Sequence, residues 1–226
     1  MIRKLIVIIS NEKIFRQSSD FYCDNVDMKV LPEGLGAYHK VQFIGRSSNK
    51  KNGHKLNLEN IKVASNIFRF LYFVLKTFKI KNISYFLVDI TPYTFFSFLI
   101  LFLFRKKVFV YLFSNGYEEY KHILGRWSIW IYHIMYTIVT SNSNVIVCHE
   151  RLYDKKKSHL ISISRLEEEW FRDHKKVFLD KIRLLYVGRM SPEKGIYEFL
   201  KMFDKIKFNA ELTIVGNPRN QEVSNK

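Results

Sequence analysis

The chain alternates short runs of consecutive apolar residues with longer stretches in which apolar residues recur every three or four positions. Leu5 to Ile9 is the first such run, as expected for a parallel strand covered on both faces. It stops at Ser10, too short for the hydrophobic region of a signal peptide and followed by no small-residue cleavage site. Residues 10–40 read as irregular and polar. Val41–Gln42–Phe43–Ile44 predicts a second strand closed by Gly45 and Arg46, and the polar run Ser47 to Lys55 predicts a loop. Ile61, Ala64, Ile67/Phe68, Leu71, Leu75 and Phe78 are spaced as the buried stripe of one amphipathic helix. Ile83 to Val88 reads as a strand, with Thr91 as the cap and Pro92 at the first position of the helix that follows.

Phe95 to Phe104 is almost wholly apolar and ends in Arg105–Lys106–Lys107. It falls short of the roughly 20 residues needed to cross a bilayer. Two readings stay open: a core helix against the sheet, or a helix that touches the membrane with a basic rim. The strand-like Val108 to Phe113 directly after it favours the core helix. Trp127 to Val139 predicts another helix and Asn144 to Cys148 another strand. Repeated strand–helix–strand units imply an α/β fold with a parallel, doubly wound sheet. Around Phe171 to Asp180 the chain turns charged and loses its period. A new unit then opens with a strand at Arg183 to Val187, a turn from Gly188 to Gly195, a helix on Ile196, Phe199, Leu200, Phe203 and Ile206, and a strand from Glu211 to Val215. The expected organisation is therefore a Rossmann-like domain over residues 1–170, a linker over 171–181, and an incomplete second domain over 182–226. Two parallel strands alone form little core.

Composition narrows the partners. Lysine and arginine number 37 against 21 acidic residues, a formal net charge of +16 that attracts anionic lipid, nucleic acid or phosphorylated substrates. The basic residues are dispersed and no helix-turn-helix, zinc or RNA-recognition signature appears, so nucleic acid is not expected as a partner. The two cysteines, Cys23 and Cys148, are far apart with no ligand spacing around them, as for reduced thiols in a cytosolic protein.

The stretch richest in chemistry is Leu184–Leu185–Tyr186–Val187–Gly188–Arg189–Met190–Ser191–Pro192–Glu193–Lys194–Gly195–Ile196. A strand turns sharply into a helix. Gly188 lets backbone approach a ligand, and the helix start offers N–H groups to an anion. Arg189 can fork onto a phosphate and Lys194 can act as a mobile point charge, a combination suited to a diphosphate. The plainer alternative is a capped turn with Ser191 as N-cap and Pro192 at the first helical position.

This run, followed by an amphipathic helix and by Glu211–Leu212–Thr213–Ile214–Val215–Gly216, resembles the opening of the donor domain in family 4 glycosyltransferases. That resemblance implies the two-domain architecture called GT-B, with a nucleotide sugar bound between two Rossmann-like domains. It further implies that Gly188, Arg189, Lys194 and Gly195 hold the donor diphosphate, with Gly216 nearby. Tyr85 to Val88, Phe109 to Gly116 and Asn144 to Tyr153 look like the family's successive strands with their exit loops, and Ser158 to Ser164 like the strand before the crossing. Ser114, Asn115 and Gly116 are candidate cleft residues at a strand's carboxyl end, as is His149. Tyr117, Glu118 and Glu119 are weaker candidates.

The chain also departs from the family. Downstream of Lys194 the glutamates are Glu198, Glu211 and Glu222, none forming the family's Glu-x7-Glu pair, so a truncated donor domain is expected. The resemblance implies a retaining, hexosyltransferase-type enzyme acting on a glycan or lipid-linked acceptor of surface polysaccharide. It implies no metal, in keeping with the lack of an Asp-x-Asp pair, and no cofactor beyond the nucleotide sugar as substrate. The expected location is cytoplasmic, at the inner face of the membrane. A basic module that binds membrane or a partner without catalysis is the alternative.

Overall fold

The structure is a computed structural model that describes residues 4–50, 53–153, 158–161, 172, 181–188, 190 and 195–216. The chain divides into two compact units, Met1–Ser164 and Arg165–Lys226. The expected linker lies outside the described residues apart from Arg172 and Lys181.

The first unit runs β1 (Leu5–Gln17), β2 (Asp20–Cys23), α1 (Asp27–Tyr38), β3 (Lys40–Ser47), β4 (His54–Leu56), β5 (Asn60–Ala64), α2 (Ile67–Lys76), β6 (Ile83–Val88), α3 (Pro92–Leu103), β7 (Val108–Leu112), α4 (Gly116–Leu124), α5 (Ser128–Ser141), β8 (Asn144–Val147) and β9 (His159–Leu160). Seven of these strands lie parallel in the spatial order β5-β3-β1-β6-β7-β8-β9. Counted along the chain, that is the order 3-2-1-4-5-6-7 of a doubly wound Rossmann-like sheet. β1 is its centre, with Ile9 opposite Ile44 of β3 on one side and Leu87 of β6 on the other. Winding first toward β3 and then back toward β9 puts the crossovers on opposite faces. α2, α3 and α5 cover Val7, Ile9, Leu87, Val110 and Val147, while α1 brings Met28 against Ile8 and Phe43 on the other face.

Three segments differ from the expectation. Residues 10–40 are not irregular. β1 continues past a bulge to Gln17, turns at Ser18 (φ 53°) and pairs with β2, Ile14 opposite Cys23. A hairpin at a sheet margin needs only one buried face, so it shows no continuous apolar run. α1 forms despite Pro32, whose missing N–H removes one rung of its ladder. The predicted helix from Ile61 also divides. Asn60–Ala64 is β5, and α2 begins only after Asn66, whose side chain accepts from the Arg69 N–H at 2.9 Å. Its buried stripe is Phe70 and Val74, while Phe68 and Leu75 face outward. Apolar residues populate every side of α2, so their spacing could not select the inward one. The polar run Ser47 to Lys55 also carries β4 at its end.

The start of α3 follows the sequence closely. Thr91 and Thr94 close a capping box and Pro92 opens the helix. Thr94, Ser97, Phe98 and Leu101 are buried, which supports the core reading for that side of the helix. No helix of the described residues is long and apolar enough to cross a membrane.

In the second unit, β10 (Ile182–Val187) pairs in parallel with β11 (Ala210–Val215) through α6 (Ile196–Phe203). The more sheltered sheet positions are Leu184, Tyr186, Leu212 and Ile214, and Tyr186 stacks on Phe199 of α6 at 5.8 Å. Leu185, Val187 and Val215 point the other way and are exposed. Among the described residues of this unit only Ile196 is buried, as expected of a two-strand sheet.

Candidate functional site

Open α/β sheets bind ligands outside the carboxyl ends of their strands, near the place where strand order reverses. Here that place lies between β1 and β6. β6 delivers Asp89 there in the left-handed region, at φ 56°. Its carboxylate accepts from the Phe113 N–H at 3.2 Å and the Ser114 hydroxyl at 3.2 Å. Its own carbonyl accepts from the Thr94 hydroxyl at 2.8 Å, and its N–H donates to the Tyr111 carbonyl at 2.9 Å. Asp89 thus ties the end of β6 to the exit of β7 and the start of α3. Burial, reinforced by the nearby charge of Glu119, outweighs those hydrogen bonds and pushes the carboxyl up to about 7. One strand further over, the Arg46 guanidinium lies 4.5 Å from the centre of the Tyr93 ring and donates to Asn11 Oδ1 at 3.0 Å.

Beside Asp89, at the ends of β7 and β8, opens a cavity of about 150 Å³. Ser114, Asn115 and Gly116 line one side, Tyr117, Tyr132 and Tyr136 another, and Arg151, Leu152 and Tyr153 the third. The tyrosines interlock. Tyr117 stands edge-on to Tyr132 at 4.7 Å, and Tyr136 reaches Tyr153 at 6.3 Å. Their hydroxyls are tethered: Tyr136 donates to the Leu152 carbonyl at 2.7 Å, and Tyr117 pairs with His133 Nδ1 at 2.9 Å. Burial raises the phenols of Tyr117, Tyr132 and Tyr136, so all three stay protonated near neutral pH. Apolar ring faces, fixed hydroxyls and one guanidinium suit a small ring-shaped ligand rich in hydroxyls or carrying an anionic substituent.

The structure therefore brings Ser114, Asn115, Gly116 and Tyr117 together. It places His149 otherwise: exposed, and outside the lining of this cavity, it accepts the Arg151 N–H on Nδ1 at 3.1 Å and caps a short turn. Gly116 starts α4 flat against Tyr132, and a Cβ there would fall within that ring. Gly116→Ala is expected to displace the ring or the loop and destabilise the unit by about 1–3 kcal/mol. Urea unfolding should show the loss, and near-ultraviolet circular dichroism should show the tyrosine cluster disturbed.

In the second unit, Arg189 and Lys194 lie outside the described residues. The glycines around them are informative. Gly195 sits in the left-handed region at φ 70° and holds the N-cap position of α6, which the capped-turn alternative gave to Ser191. Ser191 and Pro192 are themselves outside the described residues. Gly188 ends β10 and donates its N–H to the Val215 carbonyl at 3.0 Å. Gly216 ends β11, and a Cβ on it would overlap the Gly188 carbonyl oxygen. A Cβ on Gly188 would meet first the Tyr186 hydroxyl at 3.3 Å. The close approach seen here is thus backbone to backbone, and Gly216 is the residue it requires.

Sequence reasoning named Tyr117 but missed Asp89, Arg46, Arg151 and the other tyrosines of the cluster, Tyr132, Tyr136 and Tyr153. Asp89 carried a signal, a single carboxyl set directly after an apolar strand and before a helix cap. Tyr132 and Tyr136 are four residues apart on one helix face but read as ordinary core positions.

No protein-family model matches the chain, and no curated protein does. Solved structures do. A Listeria monocytogenes protein described as a UDP-N-acetylglucosamine 2-epimerase shares 9% identity and a TM-score of 0.50, the match covering 100% of this chain and 65% of that one. Acinetobacter baumannii MurG shares 8% identity at a TM-score of 0.46, over 97% of this chain and 70% of its own. With the strand order, the likeness to the Listeria protein makes the fold α/β and GT-B-like, a Rossmann-like parallel-sheet unit followed by a further β-α-β unit. The chain spans 65% of the length of the Listeria protein.

Proposed function

We propose that the chain belongs to a nucleotide-sugar glycosyltransferase of the GT-B type, with the first unit on the acceptor side and the second opening the donor-binding domain. The observation that carries this reading is the parallel β10–α6–β11 unit, whose connecting turn holds Arg189 and Lys194 between glycines, following a Rossmann-like unit in a GT-B-like fold. In this proposal Arg189 and Lys194 grip the donor diphosphate, with Gly188 and Gly195 keeping side chains clear of it. Stabilising the departing diphosphate would be the main catalytic effect. The tyrosine-lined cavity beside Asp89 would take a sugar of the acceptor, its rings stacking on the apolar face and its hydroxyls meeting Ser114 and Arg151. Retention of configuration, independence from metal, and a glycan or lipid-linked acceptor of surface polysaccharide complete the reading, with the protein working in the cytoplasm.

Titration calorimetry with a panel of nucleoside diphosphates and their sugar conjugates tests it. At least one nucleotide is expected to bind, and Arg189→Ala and Lys194→Ala should each weaken it roughly 10- to 100-fold, the worth of one or two charge-assisted hydrogen bonds. A double variant that binds every nucleotide as the parent does would sink the assignment.

A further inference from the structure

α2, α3 and α5 lie side by side on one face of the sheet, with α3 in the middle and in contact with both neighbours. As crossover helices of a parallel sheet they run in the same direction, so their carboxyl ends gather at one end of the layer. Each buries an inward stripe: Phe70 and Val74, Phe98 and Leu101, Met135 and Val139. On an ordinary surface helix the opposite stripe carries charge. Here it is apolar too. α2 presents Phe68 and Tyr72, α3 presents Phe96 and Leu103, and α5 presents Trp130 and Ile134; Phe68 is 81% exposed, Leu103 77% and Trp130 70%. Three helices of 10 to 14 residues make a layer roughly 15–20 Å by 20–30 Å, about the size of the largest apolar patch a soluble monomer exposes, which is often a functional one.

The charges around this layer have one sign. None of the three helices carries an acidic residue. From residue 60 to 149 the acids are Asp89, whose carboxyl is taken up by Phe113 and Ser114, and Glu118 and Glu119 on α4, against ten lysines and arginines. Six of the cations lie at or just beyond the carboxyl ends of α2 and α3: Lys76, Lys79 and Lys81, then Arg105, Lys106 and Lys107. Helix dipoles account for a cation or two in such places, but not for the apolar stripes beside them. Lys76 Nζ lies 4.8 Å from the centre of the exposed Tyr72 ring, so aromatic and cation occupy one level. Aromatic and leucine side chains set among lysines and arginines, with no acid between, is the pattern of a surface that lies in the headgroup region of an anionic membrane. A second copy of the chain would bring like charges together, at a net charge of +16 each.

We propose that the outward faces of α2, α3 and α5 form a docking surface for an anionic bilayer, with Phe68, Leu103 and Trp130 entering the headgroup region and the cations after α2 and α3 meeting lipid phosphates. The inference does not rest on the transferase reading and uses no nucleotide in its test. The full chain is sedimented with vesicles of phosphatidylcholine alone or mixed with phosphatidylglycerol. Tryptophan emission is recorded in a Trp170→Phe background, so that Trp127 and Trp130 report. Binding to the mixed vesicles only, a blue shift, quenching by brominated acyl chains and weakening by salt are expected. The combined Leu103→Glu and Trp130→Glu variant should bind at least tenfold more weakly. The Phe68→Ser variant should bind more weakly as well, with the thermal transition kept because all three side chains are exposed. Equal binding by parent and variants overturns the proposal. So does a lipid-free dimer that these substitutions dissolve, since a second copy would then cover the face.

Discussion

Asp89→Asn is expected to flatten the pH dependence of the first unit's stability between about pH 4 and pH 7. Desolvation of the carboxyl raises it from the ordinary aspartate value to about 7. The folded protein therefore keeps this proton over a range in which the unfolded chain has lost it. More protons bound in the folded state means that stability falls as pH rises. The contribution is complete below the unfolded value near 4, declines through the window, and is gone above about 7. Three pKa units correspond to roughly 4 kcal/mol. Asparagine keeps an acceptor for the Phe113 N–H or the Ser114 hydroxyl and tolerates the left-handed backbone, but it cannot ionise. Urea midpoints of parent and variant from pH 4 to 8 make the comparison. The two curves should approach each other at low pH and part toward pH 8, where the parent holds a buried charge. Parallel curves would show that Asp89 does not titrate differently on folding.

The second large effect belongs to the other unit. Gly216→Ala sets a methyl group against the Gly188 carbonyl oxygen, and a peptide in a strand pair cannot swing aside as a side chain tip can. Overpacking in a well-formed core costs about 1–3 kcal/mol. Here only Ile196 is buried among the described residues, so little packing exists to absorb the strain. The Gly188–Val215 rung should break and β10 and β11 separate from their carboxyl ends inward. Amide exchange at Leu184 to Val187 should rise by at least a hundredfold while the core of the first unit stays protected. Gly188→Ala is the control, because its added methyl meets the tip of Tyr186 at 3.3 Å, which can rotate away. If Gly216→Ala exchanges no faster than the parent, the close approach is not a constraint on this unit. If nucleotide affinity falls along with protection, the strand ends and the turn proposed to hold the diphosphate work as one piece.

The parts of the fold legible in the sequence are those where one physical signal acts without a competitor. β6, β7 and β8 are continuous apolar runs because both their faces are covered, and Thr91–Pro92 marks the start of α3 because a threonine cap and a proline at the first position agree. The β1–β2 hairpin and α1 were not legible. A hairpin at a margin has no apolar run, and Pro32 opposes the helix that tertiary contacts of Met28 impose. β5 was hidden because Ile61 and Ala64 keep helical spacing with the residues after Asn66. The site divides in the same way. Glycines and cations at a strand–helix turn stand out in the sequence, so Gly188 to Gly195 is named there as a candidate, with Arg189 and Lys194 outside the described residues. Asp89 and the tyrosine cavity arise from residues between 89 and 153 that only strand order brings together, and spacing along the chain says nothing of that order.

The strand at the middle of the sheet is also made well before one of its two neighbours. Once β1 has left the ribosome, Ile9 must wait for Leu87, 78 residues later, before its second edge is closed. At 5–20 residues per second that interval lasts roughly 4–16 s. During it an apolar strand can close locally only through the hairpin with β2 and the pairing with β3. The long carboxyl half of β1 thus gives the nascent chain an early anchor, Ile14 against Cys23, that holds the strand in register until its distant neighbour is synthesised. Substitutions that loosen the hairpin would then act on yield in the cell more than on the finished protein, and chaperone dependence would be their signature.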